Sequence, residues 1–310
     1  MNEFELISRL TRSLPSNSAV VNGPGDDCAV LDIGLPDRLL LLKTDAVVEG
    51  IHFKFDAEPE KIGHKALARC LSDIAAMAGT PTAALVTIAL PKEFDSKRIE
   101  AVYDGMSALA RRHEVAIVGG ETSTNPERML ISVSLLGTVP RGKAVLRSGA
   151  EVGDAIFVTG ELGGSIARKH LEFEPRLTEA RWLAENFRIH AMLDLSDGLA
   201  GDLKHILKAS RVGAELLQNS IPITREAKLA SRAESSAKPP LLAALTDGED
   251  FELLFTVASK DAVPLLDAWR ARFPNLRLTC IGKIVAGEGI SLRDKHGHRR
   301  IDLHGYEHFA

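Results

Sequence analysis

Short runs of Val, Ile and Leu alternate with longer amphipathic stretches through the first half of the chain. RLLLLKTD, TAALVTIALP, VAIVGGE and RMLISVSLLGTVP read as strands, because brief apolar runs bounded by turn residues fit a pleated sheet. Between them, EKIGHKALARCLSDIAAMAG and SKRIEAVYDGMSALARRHE repeat apolar residues near the helical period of about 3.6 and read as helices. The apolar run at residues 39–42 is unbroken, which predicts a strand covered on both faces.

RGKAVLRSGAEVGD interrupts this pattern with Gly, Lys and Arg and reads as a linker and loop. Beyond it the alternation resumes. DAIFVTG and AMLD read as strands, with helices expected from about Gly164, over TEARWLAENF and from Gly198. AELLQ, PPLLAALT, FELLFTV, KDAVPLLDAWRARF and LRLTCIGKIV continue the α and β alternation. At 310 residues the chain exceeds what one hydrophobic core usually serves, so two domains are expected, residues 1–140 and 141–310. The class is α/β (α+β), with no solenoid or propeller repeat.

Composition narrows the picture by exclusion. Hydrophobic content of 45% and charged content of 26% are those of a globular protein, and a net charge of -4 gives no general attraction to nucleic acid or anionic lipid. No apolar run reaches the ~18 residues of a membrane helix, and MNEFELISRL lacks the order of a signal peptide, so the expected compartment is the cytoplasm. Cys28, Cys70 and Cys280 are far apart and without CxxC spacing. They read as small core residues, not as a disulfide or zinc framework.

The chemistry lies in acids at turns and strand ends. Asp26 and Asp27 follow the turn residues Gly23, Pro24 and Gly25, where solvated turn acids are the plain reading. Three apolar runs then stop on acids: the first on Lys43, Thr44 and Asp45, the second on Gly119, Gly120 and Glu121, and the third on Asp194, Ser196 and Asp197. One such acid is an ordinary cap, and Asp197 suits the helix that follows it. Recurrence at carboxyl ends of strands, which face the ligand crevice in α/β folds, is what points to a site. Asp73 borders the apolar helix face of Ile62, Ala66, Cys70, Ile74 and Met77, with a pair to Arg69 as its plain explanation. Acids gathered without His or Cys favour Mg²⁺ or Mn²⁺ and metal-dependent phosphoryl transfer. There is no GxxxxGK[ST] loop and no protein-kinase motif set. GELGGS at 160–165 reads as a strand-to-helix turn.

In order along the chain, GPGDDCAVL, KTDAVVEGIHF, ALARCLSDIAAMAG, VGGETS, RSGAEVGD, LDLSDGLAGDL, DGEDFELLF, CIG and GYEHF resemble the thiamine-monophosphate kinases, from about residue 3 to residue 309. The resemblance implies ATP-dependent phosphorylation of thiamine monophosphate to thiamine diphosphate with several Mg²⁺ ions. It also implies the aminoimidazole ribonucleotide synthetase-like fold: an N-terminal domain of mixed sheet and helices for metal, ATP and dimerisation, and a C-terminal α/β sandwich completing the nucleotide and substrate site. Two copies would pair as a homodimer through their N-terminal sheets.

Position by position, the resemblance implies metal ligation at Asp27, Lys43, Thr44, Asp45, Asp73, Glu121, Asp194 and Asp197. ATP contacts fall on Thr44, Tyr103, Gly120, Glu121, Arg147 and Ser196, and thiamine monophosphate contacts on His52, Glu249 and Tyr306. Asp45 and Arg147 take the catalytic roles, a guanidinium offering paired donors to phosphate oxygens. Glu249 would balance a thiazolium cation that Tyr306 faces with its ring. The chain departs from the family pattern at Glu121, which stands for Asp, and at Lys43, which stands for a small hydroxyl residue and sets a cation in the metal shell. Thr246 and Asp247 replace small residues before GED.

Two other readings compete. Relatives on the same scaffold make selenophosphate, cyclise a purine precursor or dehydrate a thiocarbamoyl group. The first needs a reactive Cys near the N-terminus and the last a C-terminal Cys, whereas the first Cys in this chain is Cys28 and the chain ends YEHFA. A nucleotide- or thiamine-phosphate-binding protein without turnover is the non-enzymatic reading, supported by the departures at Lys43 and Glu121.

Overall fold

The computed structural model describes residues 3–167, 169–233, 238–303 and 305–306. The chain divides into two compact units: a first unit of Ser18–Ala144 with Arg168–Thr178, and a second of Met1–Asn17, Val145–Ala167 and Glu179–Ala310. Helix α1 (Glu3–Thr11) therefore opens the chain but belongs to the second unit.

The first unit holds β1 (Val20–Asn22), β2 (Ala29–Leu31), β3 (Arg38–Val48), β4 (Thr80–Leu90), β5 (Ala116–Thr124) and β6 (Leu130–Pro140) in one sheet of order β1-β2-β3-β6-β4-β5. Only β4 and β5 pair in parallel. Two helices, α2 (Pro59–Ala76) and α3 (Ser96–Arg112), complete it, and α2 packs on β3 and β6. The expected apolar face of α2 is realised: Ile62, Ala66, Cys70, Ile74 and Met77 are all buried. The two helices approach through glycine, since a Cβ on Gly63 would stand 1.8 Å from the Val102 carbonyl oxygen.

Two strand expectations need correction. Leu39 and Leu41 are buried while Leu42 is 41% exposed, so the run at 39–42 is covered on one face only. The two-residue period of a strand sends alternate side chains to opposite faces whatever their polarity. Nor do β3 and β5 stop on their acids; they continue through Asp45 to Val48 and through Glu121 to Thr124. Backbone pairing with β6 and β4 carries each strand past the polar residues.

The second unit contains a seven-stranded sheet of β7 (Ala155–Thr159), β8 (Ile189–Asp194), β9 (Gly213–Leu217), β10 (Leu253–Val257), β11 (Leu278–Val285), β12 (Gly289–Asp294) and β13 (Gly297–Ile301). Its order is β13-β12-β9-β11-β7-β10-β8, antiparallel except between β12 and β9. Strands β7 and β10 are buried along their whole length. The remaining helices are α4 (Leu177–Asn186), α5 (Leu199–Ser210), α6 (Arg225–Ala233), α7 (Pro240–Thr246) and α8 (Ala262–Arg272). One core joins Leu199, Leu203 and Ile206 of α5 to Ile156, Val158, Leu193 and Leu254 of the sheet.

Among the described residues the helix expected from about residue 164 does not form, and short 3₁₀ turns at Ser165–Ala167 and Lys169–Leu171 stand there. Gly163 and Gly164 hold φ of 82° and 74°, a left-handed pair that does not lead into a right-handed helix. The linker at 141–154 is free of helix and strand, as expected.

Candidate active site

In the first unit, the pleat and the helical turn bring four charged groups together. Lys43 and Asp45 are two residues apart on β3, and Arg69 and Asp73 are four apart on α2, so each pair shares a face of its element. The contacts cross between the elements. Lys43 Nζ lies 2.8 Å from Asp73 Oδ1, while Arg69 places Nε 2.8 Å from Asp45 Oδ2 and Nη2 3.2 Å from Oδ1. Asp73 thus has a partner on β3 that its helical spacing from Arg69 did not announce.

Asp27 joins this group. It is buried, and one of its carboxylate oxygens lies within 4.8 Å of one from Asp73. Asp26 is turned to a different task, accepting a hydrogen bond from Asn22 Nδ2 at 2.7 Å and so fixing the turn. Burial opposes the charge on Lys43, but the carboxylates of Asp73 and Asp45 outweigh it and raise its pKa above the ordinary value. Burial, reinforced by Asp73, pushes the Cys28 thiol up as well. All three cysteines are free.

Pleating sends the other expected ligands elsewhere. Thr44 occupies the opposite, exposed face of β3, where Ser134 Oγ donates to its Oγ1 at 3.2 Å. Glu121 pairs in register with exposed Thr87 of β4 and shares that open face, while Gly120 pairs with buried Val86. A Cβ at Gly120 would fall 1.8 Å from the Val86 carbonyl oxygen, so close strand approach explains that glycine independently of nucleotide. Tyr103 is part-buried on α3, its phenol pKa raised by burial.

His52 is held from two sides. Its Nδ1 accepts the Val48 N–H at 3.1 Å, which leaves the proton of the neutral ring on Nε2. Its carbonyl oxygen accepts from Lys65 Nζ at 2.7 Å. Lys65 is fully buried and also meets His170 Nδ1 at 2.8 Å.

The second unit gathers a second set. β8 ends on Asp194, as expected. The following turn does not use Asp197 as a helix cap: Gly198 occupies the cap position, and Asp202 of α5 accepts the Asp197 N–H at 3.0 Å. Asp202 is deeply buried, and burial together with Asp197 raises its pKa well above the usual carboxylate value, with Arg147 acting in the opposite direction. Ser196 O accepts the Glu249 N–H at 2.7 Å, and Asp197 O accepts the Tyr306 N–H at 3.0 Å. Asp194, Ser196, Asp197, Glu249 and Tyr306 thus lie on three segments tied by backbone hydrogen bonds. Of the GYEHF motif, residues 307–309 lie outside the described residues.

The loop carrying Glu249 is strained. Glu249 and Phe251 have φ of 59° and 49°, a region costly for residues with a Cβ. Asp250 holds the geometry, its carboxylate accepting the Gly163 N–H at 3.1 and 3.0 Å and the Ser165 hydroxyl. Buried Glu252 accepts the Thr159 hydroxyl at 2.7 Å. Lys65, Asp202 and Asp250 were not singled out in the sequence, and Arg69 was read only as the partner of Asp73. The tandem acids of DGEDFE were the one available signal.

The donor set of the first unit is all carboxylate oxygen, which fits Mg²⁺ and not a soft metal. The N-terminal domain model of AIR synthase related protein matches residues 25–139, and the corresponding C-terminal domain model matches residues 151–295. The thiamine-monophosphate kinase of Rhodopirellula baltica is 42% identical over 287 residues, covering 90% of this chain and 87% of its own. That of Bacillus subtilis is 33% identical with full coverage of both chains. The solved structure of AaThiL complexed with AMPPCP and TMP matches with a TM-score of 0.81 at 30% identity, over 99% of this chain and 97% of its own.

Proposed function

The chain belongs to the AIR synthase related family, among its thiamine-monophosphate kinases, and we propose that it passes the terminal phosphoryl group of ATP directly to a phosphate oxygen of thiamine monophosphate. The observation that carries this reading is the buried approach of Asp27 to Asp73 beside Asp45. Asp27 and Asp73 bring two buried carboxylates together, and like-charged carboxylates so close are stabilised by cations.

Asp27, Asp45 and Asp73 would hold Mg²⁺ in the first unit, and Asp194 and Asp197 would do so in the second. Bound there, Mg²⁺ supplies charge neutralisation between two anionic phosphates. The chain's own groups do the rest. Arg147 offers a planar fork to phosphate oxygens, and Tyr103, Gly120 and Ser196 border the nucleotide. His52, whose neutral ring carries its proton on Nε2, donates to the substrate phosphate. Glu249 and Tyr306 receive the thiazolium.

In the transfer the bond from the terminal phosphorus to its bridging oxygen breaks as a bond from an acceptor phosphate oxygen forms, giving ADP and thiamine diphosphate. The acceptor is already ionised near neutral pH, so no strong general base is required. We propose the cytoplasm as the chain's compartment, where cysteines stay reduced. Among the described residues no helix is long and apolar enough to cross a membrane.

We further propose a homodimer. Leu42, Leu85 and Val118 are 41%, 50% and 64% exposed on the first unit's strands, an apolar surface that a second copy of the sheet would cover.

The test of the reaction is to incubate purified chain with ATP, Mg²⁺ and thiamine monophosphate and resolve the products. Thiamine diphosphate and ADP in equal amounts are expected. Binding of both substrates without thiamine diphosphate would refute the kinase reading.

A further inference from the structure

The first unit carries covalently attached cations inside its carboxylate group. β3 sends Lys43 to Asp73 of α2, and α2 sends Arg69 back to Asp45 of β3. Each element thus supplies one acid and one base, and the two bridges cross. The Lys43 ammonium occupies a lone pair of Asp73 Oδ1 at 2.8 Å, on an acid whose carboxylate also faces Asp27.

An ammonium and a divalent ion compete for the same oxygen. Mg²⁺ approaches carboxylate oxygens at about 2.0–2.1 Å and demands octahedral order, whereas an ammonium is a compact point charge with three donors and a looser geometry. With Nζ against Oδ1, Asp73 keeps fewer lone pairs for a metal, and part of the repulsion between Asp73 and Asp27 is already relieved. Asp45 is engaged by both of its oxygens in the same way, by a guanidinium that is charged at every working pH.

We propose that Lys43 is a tethered cation that takes the place of one divalent ion at Asp73, so that this chain binds one metal ion fewer than its carboxylates would otherwise hold. The inference rests on the metal-dependent reading above and sharpens it. Lys43 is a positioning residue: it fixes the Asp73 carboxylate for the remaining ions and needs no contact with either substrate.

The test counts Mn²⁺ bound per chain by equilibrium dialysis with electron paramagnetic resonance, with a non-hydrolysable ATP analogue present, for the unaltered chain, Lys43→Met and Lys43→Arg. Lys43→Met is expected to bind one additional Mn²⁺ per chain, and Lys43→Arg to keep the original number. Equal, non-zero counts in all three would overturn the role of Lys43 while leaving the kinase reading intact. No Mn²⁺ on the unaltered chain, with no thiamine diphosphate formed, would remove both. A second measurement needs no variant: acylation of Lys43, followed by mass spectrometry, should proceed at the same rate with and without saturating Mn²⁺. Faster labelling with metal would show the ammonium being displaced from Asp73 and would overturn the proposal.

Discussion

Arg69 grips Asp45 with two nitrogens, at 2.8 and 3.2 Å, although Asp73 stands one helical turn away on its own helix. The pair is a planar fork on a carboxylate, which fixes orientation as well as charge. Asp45→Asn is therefore expected to lower turnover by on the order of 100-fold or more, and also to lose stability, because Arg69 loses the charge of this carboxylate. Adding Arg69→Met should restore melting temperature but not turnover. Full activity in Asp45→Asn would contradict the catalytic assignment.

Lys65 couples two segments of the first unit from a fully buried position, through His52 O and His170 Nδ1. Lys65→Met keeps an unbranched side chain of nearly the same length and removes a donor from both acceptors, for an expected loss of about 1–3 kcal/mol. Urea denaturation measures it. The same variant should raise KM for thiamine monophosphate more than it lowers kcat, since His52 loses its anchor; an unchanged KM would detach Lys65 from the substrate site.

Gly63 allows α2 to lie on the backbone of α3. A Cβ 1.8 Å from a carbonyl oxygen cannot be accommodated without moving a helix, so Gly63→Ala should cost roughly 1–3 kcal/mol or more despite its better helix propensity. Gly23→Ala, whose Cβ would meet Val20 at an ordinary 3.7 Å, is the control. Equal unfolding midpoints for the two variants would show that the helices are not in close contact.

His205 on α5 has its pKa lowered to about 4 by burial, then by Arg147 and Lys208. The unfolded chain takes up this proton near pH 6.5, before the folded chain does. Stability supplied by the neutral ring is present above that pH and is lost as pH falls from about 6.5 towards 4. His205→Leu should flatten stability against pH across this window, read from unfolding midpoints near pH 5 and pH 7. A slope identical to that of the unaltered chain would assign the loss to another group.

The open face of the first sheet gives the last expectation. Leu85→Lys places a charge in the middle of the exposed apolar surface and should convert a dimer to a monomer in sedimentation velocity. A chain that sediments as a monomer before substitution would remove the homodimer.

Much of this architecture is written in local patterns. The alternation of apolar runs and helical periods located β3, α2, β4, α3 and β6 closely, because burying one face imposes a period on each element by itself. Asp27, Asp73 and Asp194 could be singled out from their turn, helix-border and strand-end positions. The helix expected after GELGG failed because left-handed Gly163 and Gly164, tied down by Asp250 and Asp247 from 87 and 83 residues away, override the local propensity.

What the chain alone determined was the inventory of acids and the elements that carry them. Which acid meets which cation was decided only by packing. Helical spacing offers Asp73 to Arg69, yet the side-by-side setting of α2 on β3 adds the crossed pairs Lys43–Asp73 and Arg69–Asp45, and the pleat sends Thr44 to the face opposite Asp45. Spacing along a strand or helix records direction from its own axis; distances between elements exist only after their faces have been pressed together.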